Sequence, residues 1–201
     1  MSREQVLVSI RFALANAGIC PPGLPAARPT QAIADPLARF IERATLHACS
    51  HERLASLAEV PARALAWLAT RGVPSALSVA APLGGLNWPA DVRVDTGAAS
   101  EATVAAVSLA FAGIAESGTL VMHSGPESPI THNFVPEFQV IVLHREDLLP
   151  DQEAVWAKLR ATGAMPRALN LIAGPSRTGD VEQTIQIGAH GPRAVHLLLV
   201  G

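Results

Sequence analysis

Short runs of almost entirely apolar residues recur in the second part of the chain, and they limit its fold more than any other feature. They are residues 77–80, 120–123, 140–143, 169–173 and 195–200. Helical or polar segments separate these runs. Strands that are apolar on both faces are typical of parallel sheets, whose two faces are covered by helices. The pattern therefore predicts an α/β fold built on a parallel sheet.

The N-terminal third has a helical pattern instead. Residues 2–17 are predicted to form one amphipathic helix with Ser2 as its cap. Prolines crowd residues 20–36 and predict a linker or a surface strap, because proline interrupts both helices and strands. Further helices are expected from about Asp35 and over residues 61–72, which begin with a proline suited to a first helical turn.

Length and composition narrow the class of protein. A chain of 201 residues suits one domain, expected to divide into a helical N-terminal arm with the Pro-rich strap (1–72) and an α/β core (73–201). A net charge of −2, without a long basic run, argues against a nucleic-acid partner. No stretch is long and apolar enough for a membrane span, and the first residues lack the apolar segment of a secretory signal. A cytoplasmic protein is therefore expected.

The cysteines and histidines do not compose an evident metal site. Cys20 and Cys49 form no C-x-x-C pattern and are too few to hold an iron–sulfur cluster or a four-cysteine zinc ion by themselves. His47 and His51 are spaced to share one side of a helix and could bind a metal, but no third ligand accompanies them. The alternative is a partly buried, hydrogen-bonded histidine. No G-x-G-x-x-G follows a predicted strand, so neither a flavin nor another cofactor is expected in this chain.

Two polar clusters, residues 174–180 and residues 190–193, lie between the last two apolar runs. The pattern predicts a strand, a first polar loop, a short helix, a second polar loop and a strand. In the first cluster Gly174 permits unusual backbone geometry. Ser176 and Thr178 put hydroxyls at a helix entrance, where unpaired N–H groups favour an anion. The alternative is a self-capped turn in which Asp180 pairs with Gln183.

The second cluster runs from His190 to Arg193. His190 could act as an acid or base near neutral pH. Arg193 could hold a carboxylate through two parallel hydrogen bonds. The alternative is that Gly191 and Pro192 form a turn and that His190 only satisfies a backbone group.

A third cluster lies between two short apolar pieces. Glu116, Ser117 and Gly118 predict a tight turn between strands. Glu116, fixed at such a turn, could be a nucleophile or a base; the alternative is a solvated turn residue. Because ligand sites of open α/β sheets collect at the carboxyl ends of the strands, the three clusters are predicted to converge on one cleft there.

Together these segments resemble the lactate-utilisation LUD domain, and within it the LutC/YkgG family. The stretches that carry the resemblance are IAESGTLV (114–121), FVPE (134–137), IAGPSRTGDVE (172–182) and GAHGPR (188–193). The match spans most of the chain but is dense only from about residue 110. It implies a fold similar to NagB, ribose-5-phosphate isomerase and the CoA transferases, a three-layer α/β/α sandwich. One departure is Gln139, where relatives often have a histidine.

The resemblance also implies a function. It is that of a LutC-like subunit, without a redox centre of its own, in a three-component system that oxidises L-lactate to pyruvate. Such a complex would be an L-lactate dehydrogenase that passes electrons to a quinone or another acceptor, and its iron–sulfur clusters are expected in the partner proteins. Two other classes stay open. One is a free-standing enzyme like a CoA transferase or a sugar-phosphate isomerase that uses Glu116, by analogy of fold; the other is a regulatory or structural adaptor.

The expected site combines the three clusters. Glu116 and His190 are its candidate catalytic residues. The expected ligand is a small carboxylate or another anion. The candidate ligand-binding residues are Ser117, Gly118, Thr119, Gly174, Ser176, Arg177, Thr178, Asp180, Gly191 and Arg193.

Overall fold

The structure is a computed structural model, and it describes residues 2–16, 32–73, 76–178 and 186–201. The chain divides into two compact units, Met1–Thr30 and Gln31–Gly201. The first unit contains helix α1, Arg3–Asn16. The Ser2 Oγ accepts the Gln5 backbone N–H at 3.3 Å, and the Gln5 Oε1 accepts the Ser2 N–H at 2.8 Å. The predicted helix and its Ser2 cap are confirmed.

The second unit alternates strands and helices. Its helices are α2 (Pro36–Leu46), α3 (Val60–Ala69), α4 (Ala81–Gly84) and α5 (Gln152–Ala161). Its strands are β1 (Ser50–Leu54), β2 (Ala76–Val79), β3 (Arg93–Asp95), β4 (Ala105–Leu109), β5 (Ala112–Ile114), β6 (Thr119–His123), β7 (Phe138–His144), β8 (Leu148–Leu149), β9 (Leu169–Ile172), β10 (Arg177–Thr178), β11 (Gln186–Ile187) and β12 (Ala194–Val200). Helix α2 begins where it was predicted, since the Asp35 side chain accepts the Ala38 N–H at 2.9 Å.

Six strands form one parallel sheet in the order β1-β12-β7-β4-β2-β3. Strand β7 explains why the sequence favours this arrangement. Val140 and Val142 join a core that α3 covers, while Ile141 and Leu143 join a second core on the other face with Phe40 of α2. Because both faces are buried, the centre of the strand is apolar throughout. The predicted parallel strands are confirmed for β2, β7 and β12.

Two of the apolar runs belong to a different sheet. Strands β8-β5-β6-β9 form a four-stranded sheet in which β6 is antiparallel to both of its neighbours. The prediction of parallel strands is therefore wrong for β6 and β9. Leu120 and Met122 join the core of α2, whereas Val121 shares a third core with Val155 of α5. Burial on both faces makes β6 apolar without parallel pairing.

The stacked layers form the α/β sandwich expected from the sequence. The parallel sheet lies between α3 on one face and α2 with the small sheet on the other, and α5 covers the small sheet. Strand β1 was not predicted, because its sequence Ser-His-Glu-Arg-Leu is polar; it lies at the edge of the sheet, and only Leu54 is buried. No helix among the described residues is long and apolar enough to cross a membrane.

Candidate functional site

The C-terminal loops lie at the amino edge of the parallel sheet. Residues 188–193 lead into β12, and residues 134–137 lead into its neighbour β7. The prediction that the ligand loops follow the carboxyl ends of parallel strands is therefore wrong. The first loop leaves β9, which belongs to the small antiparallel sheet, and the second enters β12 rather than leaving it.

A two-stranded ribbon connects the two loops. Arg177 pairs with Ile187 and Thr178 with Gln186 in antiparallel register. A short helix was predicted between the two loops, but residues 177–178 and 186–187 form strands instead. Residues 179–185, which include the candidate ligand residue Asp180 and its predicted capping partner, lie outside the described residues. Arg177 is exposed and Thr178 is half-buried.

Ser176 fastens the first loop to the second. Its backbone N–H donates to the Pro192 carbonyl at 2.8 Å, and its carbonyl accepts the Gly188 N–H at 3.0 Å. The Ser176 hydroxyl accepts the backbone N–H of His190 at 3.3 Å. A Cβ added to Gly191 would lie 3.5 Å from the Ser176 Cβ, in ordinary contact. The structure therefore brings two of the three predicted clusters into direct contact.

Arg193 is held over the start of β7 by Glu137. The Arg193 Nη1 lies 3.1 Å from the Glu137 Oε2, and the Arg193 backbone N–H donates to the Glu137 carbonyl at 2.8 Å. Both side chains are more than half exposed, at 56% and 58%. An ion pair this exposed contributes only about 0–1 kcal/mol to stability. A ligand carboxylate or phosphate can therefore compete with Glu137 for the guanidinium.

An open pocket of about 540 Å³ lies between residues 134–137 and residues 187–193. Phe134, Val135 and Ile187 give it an apolar rim, and all three are exposed. Its polar groups include Arg193 and the exposed His190. Its volume lies in the range that is typical of small-molecule sites. The arrangement can bind an organic anion. We call it the amino-edge pocket.

The third cluster forms the predicted tight turn, between β5 and β6. The Gly118 N–H donates to the Ile114 carbonyl at 2.8 Å, and the φ of Gly118 is +71°. The Ser117 hydroxyl donates to the Thr119 Oγ1 at 2.7 Å. Glu116 is half-buried, and its N–H donates to the Pro150 carbonyl at 3.0 Å. Glu116 is not among the described residues that line the amino-edge pocket.

His47, at the end of α2, connects this turn to the first loop. Its Nε2 lies 3.2 Å from the Ser117 carbonyl, to which it donates. Its own carbonyl lies so close to Gly174 that an added Cβ would approach it to 2.0 Å. His47 thus contacts the Glu116 turn through its side chain and the Gly174 loop through its backbone carbonyl. Sequence reasoning missed this role, because the two contacts join parts of the chain that are distant in sequence.

The prediction that His47 and His51 share one side of a helix is wrong. Helix α2 ends at Leu46, and His51 lies exposed in β1. Among the described residues no group of three or more His, Cys, Asp and Glu side chains could hold a metal ion. Cys49 lies between these histidines in sequence; burial raises its pKa to about 11, against a smaller opposing effect of a hydrogen bond with the Gly174 backbone. Its thiol is therefore protonated and unreactive at neutral pH.

Comparison with known proteins decides the family. The family described as the LUD domain matches residues 37–200. The chain belongs to the LUD domain family. The match covers the parallel sheet, the small sheet and all three clusters of the candidate site.

The relatives of this LUD protein carry two kinds of name. "Uncharacterized protein YkgG" of Escherichia coli (strain K12) is 35% identical over 107 residues, which cover 50% of this chain and 46% of the relative. "Lactate utilization protein C" of Geobacillus kaustophilus (strain HTA426) is 30% identical over 118 residues, covering 56% of this chain and 48% of the relative. The chain thus spans about half the length of the curated relatives it matches.

A solved structure supports the fold. The crystal structure of a DUF162 family protein from Deinococcus radiodurans is similar to this chain with a TM-score of 0.58 at 19% sequence identity. The similarity covers 85% of this chain and 99% of that chain. At this identity the likeness concerns the fold alone.

A buried polar network lies behind the amino-edge pocket of this LUD protein, and sequence reasoning missed it. The Gln139 Nε2 donates to the Asn133 Oδ1 at 3.1 Å and to the Ser108 Oγ at 3.3 Å. The Asn133 carbonyl lies 3.6 Å from where a Cβ of Gly191 would be, which connects the network to the pocket wall. A His-Asn pair just before an apolar strand was the signal that could have revealed it. Gln139 is fully buried here.

His132 is a buried, titratable residue next to Asn133 of this network. Its Nε2 lies 2.9 Å from the Gly97 carbonyl and 2.8 Å from the Ser78 Oγ. Burial lowers its pKa, against smaller opposing effects of the Gly97 carbonyl and of Asp95, so the ring is neutral at neutral pH. Because the Nε2 faces a carbonyl oxygen, it carries the proton and cannot take one from Ser78. Ser78 and His132 therefore do not form a nucleophilic pair.

Proposed function

We propose that this LUD protein acts in the oxidation of L-lactate to pyruvate, as a LutC-like subunit without a redox centre of its own. Its partners would carry the iron–sulfur clusters that take up the electrons. The observation that carries the proposal is the similarity to proteins named lactate utilization protein C, together with the family match over residues 37–200. The small number of cysteines in this chain agrees with that division of labour.

In this proposal the chain binds a small carboxylate at the amino-edge pocket. The planar guanidinium of Arg193 would hold the carboxylate through two parallel hydrogen bonds, displacing Glu137. His190 lines the same pocket and could exchange a proton with the ligand. Oxidation of lactate releases two electrons and two protons, so the residues of this chain would bind and orient the substrate while the partners accept the electrons.

The test is reconstitution. The chain is combined with purified iron–sulfur proteins of a lactate-utilisation system, and lactate-dependent reduction of an artificial electron acceptor is measured without oxygen. We expect activity from the complete set and loss of activity when this chain is omitted. Equal lactate oxidation without this chain would contradict the proposal. A stable thioester on Glu116 after incubation with an acyl-CoA, detected by mass spectrometry, would favour the transferase alternative instead.

Arg193→Ala should weaken the binding of lactate or pyruvate about tenfold or more, because a charged hydrogen-bonding contact contributes roughly 1.5–3 kcal/mol. The melting temperature should change little, since the ion pair with Glu137 is exposed. Calorimetric titration and thermal melting of the same variant measure both effects.

Glu137→Gln is the matched control for Arg193→Ala. It removes the competing carboxylate and should strengthen binding of the same ligands. A lowered melting temperature in Arg193→Ala without a loss of affinity would mean that Arg193 only braces the loop.

A further inference from the structure

A second pocket lies at the opposite, carboxyl edge of the parallel sheet. A pocket of about 250 Å³ opens where β2, β4 and β7 end, and Pro82, Ala110 and Asp147 line it just beyond those strands. A companion pocket of about 260 Å³ shares Phe111 and His123 with it. The carboxyl edge of an open α/β sheet is where ligands collect. Each pocket alone is smaller than the range of about 300–1,000 Å³ that is typical of small-molecule sites, so a ligand of ordinary size would reach into both.

Lys158 of α5 is fixed in the wall of this carboxyl-edge pocket. Its Nζ donates to the Phe111 carbonyl at 2.8 Å and to the Asp147 carboxylate. The two charged side chains are 30% and 27% exposed, so both are largely withdrawn from water. An ammonium group has three N–H donors, and these two contacts use two of them. The Nζ also lies 4.7 Å from the centre of the Phe111 ring.

The charges of the pocket disfavour anions. Asp147 neutralises Lys158, and Glu127 adds a carboxylate at the rim that makes no ion pair within the described part of the chain. The local balance is therefore negative, and a ligand carboxylate or phosphate would be repelled. Carboxylates accept hydrogen bonds from hydroxyl groups instead. The polar half of the site therefore suits a neutral, hydroxylated ligand.

The companion pocket suits a flat ring. Phe111 and His123 meet edge to face, with ring centroids 5.1 Å apart and planes at 66°, and both residues line both pockets. Leu159, Met165 and Pro166 supply further apolar surface in the companion pocket. Apolar and aromatic side chains that line one pocket favour uncharged ring systems.

We propose that the carboxyl-edge pocket and its companion together bind a nucleoside-like ligand. Its flat ring occupies the companion pocket against Met165 and Pro166, and its sugar hydroxyls donate to Glu127 and Asp147. This site is separate from the amino-edge pocket and does not depend on the lactate function proposed for the chain.

The test is calorimetric titration of the full chain with adenosine, ribose and inorganic phosphate as separate probes. We expect saturable binding of adenosine, weaker binding of ribose and none of phosphate. Glu127→Gln should weaken adenosine binding about three- to tenfold, because it replaces a charged acceptor with a neutral one. Met165→Ala should weaken adenosine but not ribose.

Glu146→Gln is the matched control, since Glu146 is an exposed glutamate near the same edge that does not line the pocket. It should leave adenosine binding unchanged. Absence of saturable adenosine binding, equal effects of Glu127→Gln and Glu146→Gln, or tighter binding of phosphate than of adenosine would each overturn the proposal. Because lactate oxidation is measured separately, none of these outcomes bears on the proposed lactate function.

Discussion

Gly174→Ala should lower the free energy of unfolding by about 2–5 kcal/mol, from backbone strain and steric overlap together. Gly174 has a φ of +86°, and its added Cβ would lie 2.0 Å from the His47 carbonyl oxygen and 3.0 Å from its carbon. The backbone oxygen cannot rotate away as a side chain could. Urea-induced unfolding followed by circular dichroism measures the loss.

Gly163→Ala separates the two causes. Gly163 has a φ of +73°, but no atom lies within 4 Å of its added Cβ. This variant should show backbone strain alone, about 1–2 kcal/mol. The additional loss in Gly174→Ala measures the close contact with His47. If the two variants lose the same free energy, the Gly174 loop can move away from His47 at no cost, and the contact does not fix the loop.

The contact matters for the candidate site because His47 also donates to the Ser117 carbonyl. An alanine at position 174 would push the first loop away from the residue that connects it to the Glu116 turn. The effect on stability and the effect on the arrangement of the clusters therefore have one cause.

Local features of this fold could be predicted from the sequence. The turn at Gly118 follows from glycine between two short apolar pieces, and the start of α2 follows from an aspartate before a helical pattern. Each depends on residues a few positions apart. Such short-range determinants are visible in the sequence itself.

Long-range features could not be predicted in the same way. An apolar run reports burial on both faces, and β6 meets that condition between α2 and α5 as fully as β7 does between its two cores. The run does not reveal the direction of the neighbouring strand. The place of residues 188–193 is different, because they directly precede β12 in the sequence and a loop that leads into a strand lies at its amino end. The prediction of one cleft at the carboxyl ends overlooked this order. His47 and Gln139 act through partners 70 and 31 residues away, respectively.

His196 should make the stability of the protein fall as the pH decreases below neutrality. It is buried in β12, where its Nδ1 lies 2.9 Å from the Ser50 Oγ. The Trp67 ring stacks on it at 5.0 Å, and the Arg71 guanidinium lies 3.7 Å from the Trp67 ring centre. The pKa of His196 is lowered to about 4, mainly by burial and next by the positive charge of Arg71. A hydrogen bond with the Ser50 backbone raises this pKa, and His51 lowers it by a smaller amount.

The sign of the effect follows from proton binding. The unfolded imidazole has a pKa near 6.5, so between pH 6.5 and about 4 the unfolded chain binds a proton that the folded chain does not. The contribution of neutral His196 is therefore fully present above pH 6.5. It is lost as the pH falls toward 4, by about 3 kcal/mol in total.

His196→Gln tests this dependence, because glutamine keeps a polar side chain but does not titrate. Unfolding free energies are measured by urea from about pH 7.5 to about pH 4.5, and the wild type should lose stability relative to the variant over that range. Carboxylates and the buried His132 titrate in both proteins, so the difference isolates His196. Equal pH slopes for wild type and His196→Gln would mean that His196 accepts its proton within the fold and that the stack on Trp67 does not keep it neutral.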